Sequence, residues 1–213
     1  MGFGTHSLDA LRKIGRSYVL PTREIQGLLE CHIPLQDLRC VLDFGAGTLF
    51  WSEFFAEKLS KTSARGGGVI AIDSLYKTYK PTPKYPNITC LADLSSLRFG
   101  ASDTAQSLDS QKHTTLFFAS DVLHHLDSHM WQDILHTIAP HAHYIVIKDI
   151  DATHRFGNFA NAMHDLLING ERVRSIYPQT LATELETLGF ELQYFYLPKL
   201  WYPHFLLIAK ARL

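Results

Sequence analysis

The chain has 213 residues, 46% of them hydrophobic and 19% charged, with a formal net charge of −1. That length suits one domain with an ample core, and the near-neutral balance lacks the basic excess of a nucleic-acid binder. No stretch reaches the roughly 18 apolar residues of a membrane span, and the opening residues lack the apolar centre of a signal peptide. His6 stands where a myristoylation pattern wants Ser or Thr. The three cysteines, Cys31, Cys40 and Cys90, are odd in number and widely spaced, so buried thiols and a cytoplasmic protein are expected.

Residues 7–33 read as one or two helices. Leu8, Leu11, Ile14 and Tyr18 keep a helical stripe, Pro21 breaks it, and Thr22 stands where it would cap a second helix carrying Leu28 and Leu29. Residues 40–52, CVLDFGAGTLFWS, then change period. Val41, Leu42, Asp43 and Phe44 read as a short strand, Gly45-Ala46-Gly47 as a turn, and Phe50, Phe54, Phe55 and Leu59 as a helical stripe. Strand, glycine turn and helix form the first crossover of an open α/β sheet, whose ligands bind outside the carboxyl ends of the strands. Glycine permits positive φ and close approach of a ligand to the backbone there, and the helix start offers free amides to an anionic group. A dinucleotide fingerprint would need a third glycine where Phe50 stands, and a P-loop would need Gly-Lys-Ser/Thr; the sequence has neither.

The run Asp43-x-Gly45-x-Gly47 resembles motif I of the class I S-adenosylmethionine-dependent methyltransferases. It meets that family's Asp-x-Gly-x-Gly-x-Gly at Asp43, Gly45 and Gly47 and departs from it at Leu49. The resemblance implies that Gly45, Ala46 and Gly47 admit the methionine part of the cofactor, and that Asp43 fixes the turn or the cofactor's amino group. It also implies an N-terminal helical cover over cofactor or acceptor, with Tyr18 and Arg23 as acceptor-pocket residues.

After a Gly-rich loop within residues 60–68, residues 69–72 form an apolar run suited to a strand buried on both faces. It ends at Asp73-Ser74. An acid at this point is placed to accept hydrogen bonds from two ribose hydroxyls, and its charge repels a 2′-phosphate. Residues 75–87, rich in Pro, Lys and Tyr, read as an irregular surface segment. A short strand over 88–91 leads to Asp93 and Leu94. By the resemblance Asp93 contacts the adenine amino group, a donor for which a carboxylate is a strong acceptor.

Residues 100–113 are polar and read as a loop. A strand over 115–119 is followed by Ser120-Asp121-Val122-Leu123-His124-His125-Leu126, which resembles the family's fourth motif, beneath the transferred methyl group. The segment lacks both the Asn/Asp/Ser-Pro-Pro-aromatic of amino-methylating nucleic-acid enzymes and the Pro-Cys of cytosine-carbon enzymes. That moves the acceptor toward a small molecule, a lipid or quinone-like compound, or a protein. His124 and His125 are general-base candidates, since an oxygen or nitrogen acceptor sheds a proton and imidazole titrates near neutrality. Asp121, His125 and His129 recur every four residues, yet no second zinc-type cluster completes a site, so no metal is expected.

The apolar run 144–147 reads as a fifth strand, and residues 147–151, IKDID, resemble the strand-five end of small-molecule methyltransferases. Asp151 and His154 are acceptor-pocket candidates on the loop that follows, with Thr153 and Arg155 beside them. Phe159, Met163, Leu166 and Leu167 keep helical spacing, and residues 152–176 are a candidate acceptor lid. A helix over 179–188 is stopped by Gly189. Strands over 190–197 and 204–211, with so short a link, must pair antiparallel. The resemblance spans about residues 38–211. The expected fold is an α/β, seven-stranded, mostly parallel sheet with helices on both faces and a C-terminal antiparallel pair, in a domain over 38–213 preceded by a helical segment over 1–37. The implied activity is transfer of a methyl group from S-adenosylmethionine, leaving S-adenosylhomocysteine. A nicotinamide-dependent oxidoreductase and a non-catalytic module that keeps the fold are the alternatives.

Overall fold

Unbroken apolar runs need cover on both faces, and the sheet provides it. The computed structural model describes residues 20–62, 67–97, 115–154, 157 and 174–212. Strands β1 (Cys40–Phe44), β2 (Gly68–Ile72), β3 (Ile88–Leu91), β4 (Thr115–Ser120), β5 (Tyr144–Ile150), β6 (Phe190–Lys199) and β7 (Tyr202–Ala211) form one sheet in the order β3-β2-β1-β4-β5-β7-β6. The first five are parallel, with Val41 level with Val69 and Leu116. β7 runs antiparallel between β5 and β6. Strand order reverses between β1 and β4, the switch point at which an open α/β sheet leaves a crevice.

Alternate residues divide the core. Val41, Val69, Leu116 and Val146 face the side where α1 (Thr22–His32) and α2 (Phe50–Thr62) bring Ile25, Leu29, Phe55 and Leu59. Leu42, Ile70, Phe117 and Ile145 face the other side, covered by Trp131 and Leu135 of α3 (Ser128–Ile138) and Leu181 and Leu185 of α4 (Pro178–Thr187). Gly189, at φ +90°, ends α4 as its position suggests.

Several expectations need correction. Pro21, not Thr22, holds the cap position of α1, and no side chain caps that helix. Phe50 is 49% exposed, so the buried stripe of α2 runs through Phe55, Ala56 and Leu59. Tyr76, within the segment read as surface, is buried. Cys31 is exposed, while Cys40 is buried. β5 continues past its apolar letters through Lys148, Asp149 and Ile150. β6 and β7 meet at a two-residue turn, Leu200-Trp201, because Pro198 lies opposite Pro203 and both belong to the strands. The helix expected over 7–18, the loop at 100–113 and the lid segment at 156–169, save Gly157, lie outside the described residues. Among the described residues no helix is long and apolar enough to cross a membrane.

Candidate functional site

The chain leaves β1 through three left-handed residues: Gly45 at φ +75°, Gly47 at +49° and Leu49 at +67°. The Gly45 and Ala46 amides both donate to the Ile72 carbonyl, at 2.8 and 3.1 Å, which fastens the turn to the end of β2. A Cβ on Gly45 would stand 2.6 Å from Cβ of Val122, so the segment after β4 presses directly on the turn. A Cβ added at Gly47 would meet no atom of the described residues nearer than 4.0 Å, leaving room for a ligand. Leu49 occupies the place of the family's third glycine and keeps the glycine conformation. Its strain is about 1 kcal/mol, offset by burial of its side chain.

Acids converge on this turn. Asp73 Oδ2 accepts from the Gly47 amide at 2.8 Å, and its Oδ1 accepts from Leu75 N at 2.9 Å. The Tyr76 hydroxyl donates to the Gly47 carbonyl at 2.9 Å, so Gly47 is gripped at both polar groups. Asp43 is fully buried and accepts from Ser52 Oγ at 2.5 Å. Burial pushes its carboxyl up to about 7 against that hydrogen bond, and the Asp73 charge adds to the rise. At the end of β3, Asp93 Oδ1 accepts from Ser95 Oγ, Ser96 N and Ser96 Oγ at 2.5, 3.1 and 3.1 Å. The Ser95 and Ser96 bonds hold that carboxyl below its usual range and cap the 3-10 turn that Leu94 begins. Ser74 starts the equivalent turn after Asp73, and Ser120 ends β4. The cofactor-site candidates therefore stand at the carboxyl ends of four adjacent strands, β3, β2, β1 and β4.

Beyond the switch point two buried contacts link β4 to β5. His124 is buried, with Nδ1 2.5 Å from Asp149 Oδ1, and its backbone N–H donates to Asp149 Oδ2 at 3.3 Å. His125 is exposed, its ring 4.2 Å from that of His124. Asp121, at φ +54°, pairs with the buried ammonium of Lys148 and accepts from Ser120 Oγ at 3.2 Å. Burial alone would raise the Asp121 carboxyl, but Lys148, with His204 behind it, brings it down to about 2. The turn holding His125 ends there and α3 starts at Ser128, so Asp121, His125 and His129 share no helical face. Among the described residues no group of three or more His, Cys, Asp or Glu is placed to hold a metal ion.

The acceptor candidates separate. Tyr18 and Arg155 lie outside the described residues. Arg23 is exposed on α1, beside Glu24, whose carboxylate is 3.4 Å from Lys199 at the tip of β6. Asp151 is buried: Oδ1 accepts from Thr153 N and Oγ1 at 2.9 and 2.7 Å, and Oδ2 from the Tyr194 hydroxyl at 3.1 Å. His154 is exposed and stacks on Tyr196, with centroids 4.9 Å apart and planes 12° apart. His154 and Tyr196, but not Asp151, line a cleft of about 440 Å³ between the loop after β5 and the β6–β7 hairpin, away from the glycine turn. Sequence reasoning missed Ser52, Tyr76, Lys148, Tyr196 and Trp201 as contributors. Only the aromatic density of residues 194–202 carried a signal, and it reads equally well as core.

No protein-family model and no curated protein matches the sequence. Solved structures do match. Magnesium protoporphyrin IX methyltransferase (ChlM) from Synechocystis, with bound SAH, is 16% identical over 89% of this chain and 81% of that chain, with a TM-score of 0.59. A SAM-dependent methyltransferase from Archaeoglobus fulgidus is 18% identical over 94% and 99%, with a TM-score of 0.59. The DhpI–SAH complex is 12% identical over 93% and 90%, with a TM-score of 0.53. Identities so low speak for architecture, and the sheet order with β7 antiparallel between β5 and β6 agrees with them. The chain has the class I S-adenosylmethionine-dependent methyltransferase fold.

Proposed function

We propose that the protein is an S-adenosylmethionine-dependent methyltransferase acting on a small-molecule or lipid-like acceptor. The observation that carries this reading is the bond between Asp73 and the Gly47 amide, which unites an acid and a glycine turn 26 residues apart at the switch point. S-Adenosylmethionine, when bound, supplies a methyl group activated by a positively charged sulfur. Gly45, Ala46 and Gly47 admit its methionine part and Asp43 stabilises the turn beneath it. Asp73, with Ser74 beside it, takes the ribose hydroxyls, Asp93 and Leu94 the adenine, and Ser120 borders the methyl end. The room above Gly47 suits such a ligand, because no side chain among the described residues fills it.

On the acceptor side the chain supplies orientation and a proton sink. Asp149 engages His124 Nδ1, so a proton taken from the acceptor would reside on His124 Nε2. His125, exposed alongside, is the second candidate. Calorimetric titration with S-adenosylmethionine and S-adenosylhomocysteine tests the reading on wild type and Asp73→Ala. Micromolar binding should weaken at least tenfold in the variant, since a charge-assisted pair of hydrogen bonds is lost. A melting curve for the variant checks that it remains folded. Absence of binding by both ligands to wild type would sink the cofactor assignment.

A further inference from the structure

The cleft beyond β5 contributes nothing to the cofactor site, yet it is built as a binding surface. Its floor is a stacked pair, His154 on Tyr196. The Tyr194 hydroxyl, two residues along the same strand face, is fixed by buried Asp151, which holds the loop after β5 against β6. Trp201, its ring 5.9 Å from that of Tyr202, forms the opposite side, with Pro198 and Pro203 as stiff walls. Large apolar groups remain in water there: Tyr196 is 42% exposed, Trp201 54% and Leu200 66%. Among the described residues the lining includes no carboxylate, ammonium or guanidinium. Exposed aromatic faces in a concave setting suit a flat apolar ring, which stacks without ordering flexible side chains.

Position sets a second requirement. The hairpin belongs to β6 and β7, and β7 is two strands from β4 in the sheet. Tyr196 on β6 is three strands from β4, and Pro203 on β7 is two strands across and three residues further along, so at about 4.8 Å per strand and about 3.4 Å per residue the cleft stands roughly 14 Å from the end of β4. We propose that this cleft binds a flat aromatic group, and that the methyl acceptor carries this group roughly 14 Å from the atom methylated. The acceptor role rests on the methyltransferase reading; the aromatic site itself does not.

The test is calorimetric titration of the full chain with 2-naphthol and, separately, cyclohexanol, each with and without saturating S-adenosylhomocysteine. 2-Naphthol should bind with or without S-adenosylhomocysteine, at least roughly tenfold tighter than cyclohexanol. Trp201→Ala and Tyr196→Ala should each weaken it about tenfold while leaving S-adenosylhomocysteine affinity unchanged, the size expected for one lost aromatic stack. Trp201 is also the exposed one of the three tryptophans, so quenching of its fluorescence gives an independent reading. Equal binding of the two probes, indifference to both substitutions, or competition with S-adenosylhomocysteine would overturn the aromatic site. Should S-adenosylhomocysteine fail to bind while 2-naphthol keeps this pattern, the aromatic site stands and the acceptor role falls. Should S-adenosylhomocysteine bind and 2-naphthol not, the cleft proposal alone falls.

Discussion

At the level of single residues, the two glycines of the turn differ in what they forbid. Gly45 and Gly47 both adopt left-handed backbone, but only at Gly45 does an added Cβ collide, 2.6 Å from Val122 Cβ and Cγ2. Gly47→Ala should destabilise by about 1 kcal/mol, the penalty of left-handed φ alone. Gly45→Ala adds overpacking against a branched neighbour and should reach about 3 kcal/mol. Urea denaturation measures both. If the collision is the cause, Val122→Ala introduced with Gly45→Ala should recover part of the difference, a coupling that two distant sites would not show. Equal losses at Gly45 and Gly47 would refute the collision.

At the scale of elements, the end of β5 shows what a strand signal hides. Apolar runs and a glycine turn are local, so the order of strands and helices was legible, as was the position of an acid one residue beyond β2. Charged letters inside a buried strand carry no such signal. Lys148 and Asp149 were recognised as a strand end, but their partners Asp121 and His124 lie 27 and 25 residues away and are joined only by folding. Tyr76 reaches Gly47 across 29 residues for the same reason. The prolines lie in the link between the strands expected at 190–197 and 204–211, yet both belong to the strands: Pro203 turns its carbonyl to the Asp151 amide on the β5 side, and Pro198 sits on the edge strand, where a missing N–H costs the ladder nothing. The Asp121–Lys148 pair makes an asymmetric prediction. Asp121 is 32% exposed and Lys148 only 1%. Asp121→Asn, which tolerates the left-handed backbone, strands an ammonium in the interior and should lose about 3 kcal/mol or more. Lys148→Met leaves a carboxylate that water can reach and should lose roughly half as much. Thermal melts of both variants would disprove this if the order were reversed.

For the molecule as a whole, a net charge of −1 means little self-repulsion near neutrality, so the pH dependence of stability follows from individual groups. The two acids flanking the switch point pull in opposite directions. Asp121 ionises at about 2 when folded, against 3.8 in an unperturbed chain. The unfolded form binds more protons over that interval, so stability rises with pH from about 2 to about 4, and the Asp121 contribution is lost as pH falls through it. Asp43 behaves the other way. Folded, it keeps its proton up to about 7, while unfolded it releases it near 3.8. The native state binds the extra proton between these values, so the Asp43 contribution is complete below about 4 and is lost as pH rises to about 7. A shift of that size corresponds to a penalty on the order of 4 kcal/mol above neutrality. The expected profile of Tm climbs from strongly acidic conditions and then declines from pH 4 to 7. Asp43→Asn, which can still accept from Ser52 but carries no charge, should remove the decline and melt higher than wild type at pH 8. A variant that melts lower at pH 8 and keeps the wild-type slope would mean that Asp43 does not titrate in this range, and that its ionised form holds the glycine turn in place.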